Sequence, residues 1–326
     1  MRLSFVVSSR EDPYWNLAVE NFLMRHSDPE RMTFYLWRNA CTVVVGRNQN
    51  PYTECRVEQL QADGGHLLRR TTGGGAVFHD GGNLNFSFVV PVTEYDTDRQ
   101  FNVVQRAVER FGLHTLRSGR NDLLVDSSEG RRKFSGNAFS KGRTHHLHHG
   151  TILIDGDMAL MQRYLMPSKA KLAKHGVASV QSRVVNLSEL AGVTVENIQT
   201  PLQEACEQVY GLKGEWVDFD RLCADPRVRE LHDLYCSDAW LVDGWKDFSA
   251  TMQGHFAWGD VALSLQVQDG EISGVRIATD ALDVDSVEQM QTLLQGQSVE
   301  RRPVVPSSVD STMARDLLSL LYPAEQ

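Results

Sequence analysis

Apolar positions recur along the first 160 residues in two alternating rhythms. Asp12-Pro13 followed by Trp15, Leu17, Ala18, Phe22 and Leu23 predicts an amphipathic helix opened by proline. TFYLWR and CTVVVG, separated by Asn39-Ala40, predict paired strands with a tight turn. A helix is expected near Cys55 to Gln61, then a strand at HLLRRT, a glycine loop, and a strong strand from Leu84 to Val90 ended by Pro91. From Asp98 to Phe111 the spacing puts Phe101, Val104, Val108 and Phe111 on one helical face, and strand signals return at Leu123 to Val125 and Gly150 to Ile154. Asp157 to about Lys246 reads as mostly helical. Beyond it, WGDVALSLQVQDGEISGVRIA alternates polar and apolar residues across two strands joined at Gln268-Asp269-Gly270, and helices are expected near Ser286 to Leu294 and Ser308 to Leu321. This places a boundary near residue 248, with a large unit at 1–247 and a small α+β unit at 248–326.

Length agrees with that division, because 326 residues exceed one typical domain. The chain is 41% hydrophobic and 23% charged, as soluble globular proteins are, and no apolar run approaches the ~20 residues of a membrane span. The net charge of −9 argues against a duplex-wrapping protein. It is uneven: from Thr251 onward there are four Arg, no Lys and eleven acidic residues, whereas Arg117 to Arg143 holds seven bases and three acids. That basic stretch suits a compact anion or is a solvated loop. Five scattered cysteines without a C-x-x-C pair suggest neither a disulfide framework nor a zinc ribbon. The N-terminus resembles no secretory or transit signal, so a cytoplasmic location is expected.

Three stretches carry candidate chemistry. In RRTTGGGAVFHDGGNLNFSF, from Arg69 to Phe88, the triple glycine lies between two strand signals and not before a Gly-Lys-Ser/Thr helix or within a G-x-G-x-x-G turn, so it is neither a P-loop nor a dinucleotide fingerprint. Bare glycine backbone permits a flexible hairpin or close approach to a ligand. Arg69, Arg70, Thr71, Thr72 and His79 beside it would supply donors to an anion. In GRNDLLVDSSEGRRKFSGNA, from Gly119 to Ala138, Asn121-Asp122 suits a purine edge, Mg²⁺ or a plain turn. Lys133, followed by Phe-Ser-Gly, offers a compact cation over a phosphate or carbonyl, or is a surface lysine. In THHLHHGTILI, strand alternation puts His146 and His148 on one face and His145 and His149 on the other, which disfavours a metal cage.

Arg70-Thr-Thr-Gly-Gly-Gly-Ala-Val-Phe-His-Asp, Gly82-Asn83, Phe86-Ser-Phe, Asn121-Asp122, Lys133-Phe-Ser-Gly and His148-His-Gly-Thr151 occur in an order that resembles the lipoate–protein ligase A family, in its long form with an accessory domain. The resemblance implies an α+β fold: a large biotinyl/lipoyl-ligase-like catalytic domain with a mixed β-sheet, plus a small C-terminal α+β accessory domain. It implies a two-step activity, in which lipoate and MgATP give lipoyl-AMP and the lipoyl group then passes to a lysine of a lipoyl-carrier domain, on E2 subunits or the glycine-cleavage H protein. Carried over position by position, it implies that Arg70, Gly75, Ala76, Val77, Phe78, Asn121, Asp122 and Lys133 bind ATP or the adenylate, with Asp122 toward Mg²⁺. Trp37, Gly74, His79, Asn83, Lys133, Ala138 and His149 are then expected at the lipoate, and Lys133 is the expected catalytic residue.

ATP with Mg²⁺ and lipoate enter as substrates, no tightly bound cofactor is expected, and neither a nucleic-acid nor a membrane partner is expected of what should be a monomer. Thr72, Asn137 and the extra His145-His146 depart from the family's common pattern and bear on substrate preference. No cysteine lies between Cys55 and Cys206, so the thioester route of the related octanoyl transferases has no nucleophile in these stretches. Two alternatives remain: a lipoyltransferase that accepts only preformed lipoyl-AMP, and a non-catalytic nucleotide or carrier-domain binding protein. The acidic C-terminal unit is expected to order the site from outside. The reading requires Arg70 and Lys133 to face one cavity.

Overall fold

The computed structural model describes residues 1–322 apart from 120, 167–183, 243, 246, 247, 249, 269, 300 and 308. Lys246 and Asp247 at the expected boundary, Asp269 in the expected turn and Ser308 therefore lie outside the described residues. The strands in chain order are β1 (Arg2–Val7), β2 (Arg31–Trp37), β3 (Thr42–Val45), β4 (His66–Arg69), β5 (Val77–His79), β6 (Asn83–Pro91) and β7 (Thr115–Ser118), followed by β8 (Asp122–Ser127), β9 (Gly130–Lys141), β10 (His145–Leu153), β11 (Gly214–Trp216), β12 (Ala250–Phe256), β13 (Gly259–Gln268) and β14 (Glu271–Thr279).

Eight of them form one mixed sheet in the order β11-β1-β2-β6-β10-β9-β8-β7, parallel at the β11-β1-β2 edge and antiparallel elsewhere. Leu84, Phe86, Phe88 and Val90 of β6 point to the face covered by the helices Thr97–Glu109 and Gln199–Tyr210, where the largest apolar core lies. The alternate residues Asn83, Asn85 and Ser87 are polar and equally buried, on the opposite face. There the Pro13–His26 helix and a second sheet, β4-β3-β5, cover them. The helix begins as its sequence predicts: the Asp12 side chain accepts from the backbone N–H groups of Tyr14 and Trp15, with Pro13 at the first position. A buried polar stripe between two sheets is where a ligand space forms in this molecule.

The two strands expected to pair across Asn39-Ala40 do not. β2 joins the large sheet between β1 and β6, whereas β3 is the centre of the small one. Both segments are apolar on both faces, so neither carries the alternation that would name its neighbour. The connection crosses between sheets, anchored by the buried Asn39. The sequence pattern also passed over β1, the 12-residue β9 and β12, the last of which makes the expected C-terminal hairpin a three-stranded sheet. The two expected C-terminal helices are present as Val284–Leu294 and Ser311–Leu321, and close that sheet's own apolar core. No described helix is long and apolar enough to cross a membrane.

A candidate adenylation site between two sheets

The glycine loop leaves β4, passes over the end of β3 and enters β5. Its course is fixed by close backbone approach. A side-chain carbon on Gly46 would meet the Gly74 carbonyl oxygen at 2.2 Å, and Gly74 has φ +94°, which only glycine adopts without strain. Arg70 sits under the loop, and its guanidinium holds the carbonyls of Gly73 (2.7 Å) and Gly75 (2.8 Å), with Nε also donating to Thr72 Oγ1 (3.1 Å). It makes no ion pair among the described residues, so a cation stands in the wall without a contacting carboxylate. Burial pulls its pKa down to about 10.

Arg69, expected beside Arg70 as an anion donor, points away from the loop. It donates to the carbonyls of Gly46, Arg47, Gln49, Trp240 and Leu241 and ties the loop after β3 to the Asp238–Leu241 helix. Neighbouring strand residues face opposite ways, so only one of the pair can reach the site.

Lys133 reaches the same space from the large sheet. It lies on β9 and its Nζ is 2.7 Å from Asp122 Oδ1 on β8, with both side chains about one-third exposed. Arg70 and Lys133 line one cavity of about 740 Å³, as the sequence reading requires. Trp37, Gly74, Gly75, Ala76, Val77, His79, Asn121, Asp122, Ala138 and His149 line it too. Phe78 and Asn83 do not. Phe78 alternates away from the cavity into the core around Tyr164, at 5.9 Å ring to ring, and Asn83 lies one step behind, donating to Asn85 Oδ1 at 2.9 Å. Asn85, which the sequence reading missed, lines the cavity instead, because it pairs with Trp37 on one side and Thr151 on the other.

Leu17, Trp37, Val44 and Leu68 give the space an apolar lining, broken by His79 and Asn85. His79 is neutral there: burial above all, then the Arg70 charge, lowers its pKa to about 3. Its Nδ1 is 3.1 Å from Asn39 Nδ2. The remaining histidines do not converge. His145 donates to the Arg31 carbonyl, His146 packs on Tyr95, and His148 sits between Gln100 and Asn137, while His149 lies between Thr72 and Glu20. Among the described residues no three His, Cys, Asp or Glu side chains form a metal cage.

The C-terminal unit does not act from outside. The turn from Phe256 to Gly259, with His255, Asp260, Asp280 and Leu282, forms part of the cavity wall. Phe256 and Trp258 stack at 5.4 Å, and the Trp258 indole N–H donates to Asp316. Gly74 N–H donates to the Ala281 carbonyl (3.0 Å), Thr279 N–H to the Asn48 carbonyl (2.9 Å), and Arg47 pairs with Glu288 (3.0 Å). The unit's summed charge could not reveal this, since the turn that enters the wall is largely aromatic and uncharged.

The chain matches the lipoyl protein ligase A/B catalytic domain over residues 12–207 and the bacterial lipoate protein ligase C-terminus over residues 246–305. It is 36% identical to lipoate-protein ligase A of Bdellovibrio bacteriovorus over 300 residues, covering 91% of this chain and 88% of that protein. LipL1 of P. falciparum, solved in complex with lipoate, superposes with a TM-score of 0.80 at 25% identity over 97% of this chain and 98% of its own. A lipoate-protein ligase A bound with ATP superposes with a TM-score of 0.61 at 21% identity, over 73% of this chain and 97% of its own. With two family models meeting on one chain, and a relative matched over nearly its whole length, this chain belongs to the lipoate–protein ligase A family of enzymes.

Proposed function

We propose that the cavity joins lipoate to ATP and then delivers the acyl group to a carrier lysine. The observation that carries the reading is the meeting of Arg70 and Lys133, from two sheets, on one space that Leu17, Trp37, Val44 and Leu68 also line. In the first step a lipoate carboxylate oxygen attacks the α-phosphorus, forming the mixed anhydride lipoyl-AMP and expelling pyrophosphate. Two anions must approach, and Lys133 and the Arg70 loop offset their repulsion in a partly dry site. Backbone at Gly74 to Val77 borders the nucleotide, and Leu17, Trp37 and Leu68 shelter the apolar tail. In the second step the ε-amine of a carrier lysine attacks the acyl carbonyl, losing a proton, and AMP leaves. Lys133 stabilises the negative charge that grows on the carbonyl oxygen. The E2 lipoyl domain and the glycine-cleavage H protein are the proposed acceptors.

Mg²⁺ arrives with the triphosphate in this reading. A one-third-exposed Asp122 carboxylate at the cavity fits an ion that takes one or two protein oxygens and the rest from phosphate and water. When bound, the ion neutralises phosphate charge; Asp122 would hold it and would then release its contact with Lys133.

The test is a mass measurement. The purified chain, apo lipoyl domain, MgATP and lipoate should add one lipoyl mass to the domain with stoichiometric pyrophosphate release. Lipoylation only from supplied lipoyl-AMP, without pyrophosphate, would reduce the activity to transfer alone.

A further inference from the structure

Glu20 lies in the Pro13–His26 helix, fully buried. Its Oε1 is 2.8 Å from His149 Nδ1 and 2.5 Å from Ser87 Oγ. Ser87 Oγ in turn accepts from Trp37 Nε1 at 2.9 Å. Across the imidazole, His149 Nε2 is 2.8 Å from Thr72 Oγ1, and Thr72 Oγ1 is 3.1 Å from Arg70 Nε.

The hydrogens along this chain can be assigned by what each group is able to do. A guanidinium and an indole N–H only donate, so Thr72 Oγ1 accepts from Arg70 and Ser87 Oγ accepts from Trp37. Each hydroxyl has one hydrogen left. A carboxylate oxygen only accepts, so Ser87 gives its hydrogen to Glu20 Oε1 and His149 Nδ1 carries the hydrogen that meets the same oxygen. In that Nδ1–H tautomer Nε2 is bare and accepts from the Thr72 hydroxyl. Both branches therefore end on a single oxygen. The other oxygen, Oε2, is buried with no protein partner.

We infer that Glu20 is a positioning residue for acid activation, holding His149 in its Nδ1–H form so that Thr72 and Arg70 keep the glycine loop in register with the acyl pocket wall at Trp37. A leucine would fill the same volume without the desolvation cost of a carboxyl group, yet it could not accept these two hydrogen bonds. With the acceptor gone, His149 is free to move its hydrogen to Nε2. It would then present a donor to Thr72, whose own hydroxyl loses its acceptor, and the Arg70 clasp on Gly73 and Gly75 loses one of its fixed points.

The activity arm rests on the ligase reading above; the spectroscopic arm does not. In the full chain labelled with ¹⁵N-histidine, the His149 resonances, assigned by their loss in His149→Gln, should show a protonated Nδ1 and a bare Nε2. Glu20→Gln keeps an oxygen that accepts both bonds, so tautomer and KM for ATP should stay within about twofold of the parent. Glu20→Leu should lose the Nδ1–H signature and raise KM for ATP about tenfold, with kcat at saturating ATP changed less than threefold. A bare Nδ1 in the parent chain, a Gln variant as impaired as the Leu variant, or an unchanged KM in the Leu variant would each overturn the assignment. Should Glu20→Leu not fold, the parent tautomer and the Gln variant still decide it. A parent chain that makes no adenylate defeats the ligase reading and leaves the tautomer result to judge Glu20.

Discussion

Arg70 and Lys133 face the same cavity and are held in different ways. Arg70 is buried, and its donors are spent on Val44, Thr72, Gly73 and Gly75, so it is as much the frame of the glycine loop as a charge in the wall. Lys133 is one-third exposed and its described ionic contact is the single one with Asp122, across two strands interrupted by a bulge. The first cation is fixed before any ligand arrives; the second can move from its carboxylate to a phosphate. One region of the site is scaffold and the other is working part, and the two should fail differently when altered.

The largest effect is expected at Lys133. Lys133→Ala should lower lipoylation by about 10²–10³-fold, the usual loss when one donor to developing negative charge is removed. Its urea midpoint should hardly move, because a partly exposed ion pair contributes about 0–1 kcal/mol. Arg70→Met should do the reverse in proportion. With the Gly73 and Gly75 carbonyls deprived of their donor, the chain should lose about 2–3 kcal/mol of stability along with activity. If urea unfolds Arg70→Met and the parent at the same midpoint, Arg70 is no frame and the contrast is lost.

The difference also bears on what was legible in the sequence. Residues whose chemistry stands out beside strand signals are legible: Gly74, Gly75, Lys133, Asn121 and Asp122 all line the cavity. Residues whose meaning depends on tertiary placement are not. Glu20 stood in plain view, three positions from both Leu17 and Leu23 on the apolar side of a helix, and an acid there is a signal of a buried partner. Strand alternation turns Phe78 away from the cavity, whereas Asn83 shares a face with Asn85 and lies two residues back along β6, out of the cavity wall. The pairing of β2 with β6 and of β3 with β4 was hidden, since uniformly apolar strands fit either sheet. The part played by Phe256 to Gly259 was hidden for another reason: a turn between two strands says nothing of what it packs against.

That turn gives the third way to sharpen the comparison, as it belongs to a unit seated on the fixed side of the site. A side-chain carbon at Gly73 would lie 2.1 Å from the Ala281 carbonyl oxygen and 2.9 Å from Leu282 Cα, both backbone atoms that cannot swing aside. Gly73→Ala should therefore push the C-terminal unit off the glycine loop. Overpacking of this kind costs about 1–3 kcal/mol, so pyrophosphate release should fall about tenfold. Transfer from supplied lipoyl-AMP should change less than threefold, since Lys133 is untouched. Equal losses in both assays would mean that the unit serves acyl transfer as fully as activation.

The smallest effect separates the two regions by pH. His79, on the fixed side, is held neutral with a pKa of about 3 against an ordinary 6.5. Between those values the unfolded chain binds a proton that the folded chain refuses, so His79's contribution is complete above pH 6.5 and is lost as pH falls toward 3. Over the first unit below 6.5 the loss is about 1 kcal/mol. His79→Gln should flatten the fall of the urea midpoint over that unit, because glutamine has nothing to protonate. His148, buried with its pKa lowered in the same direction, adds to the parent's slope but is common to both proteins and cancels in the difference. Lys133→Ala should keep the parent's slope, since the substitution leaves His79 and its surroundings in place. A His79→Gln slope equal to the parent's would mean that His79 titrates freely, and that this wall of the cavity is as wet and as movable as the Lys133 side.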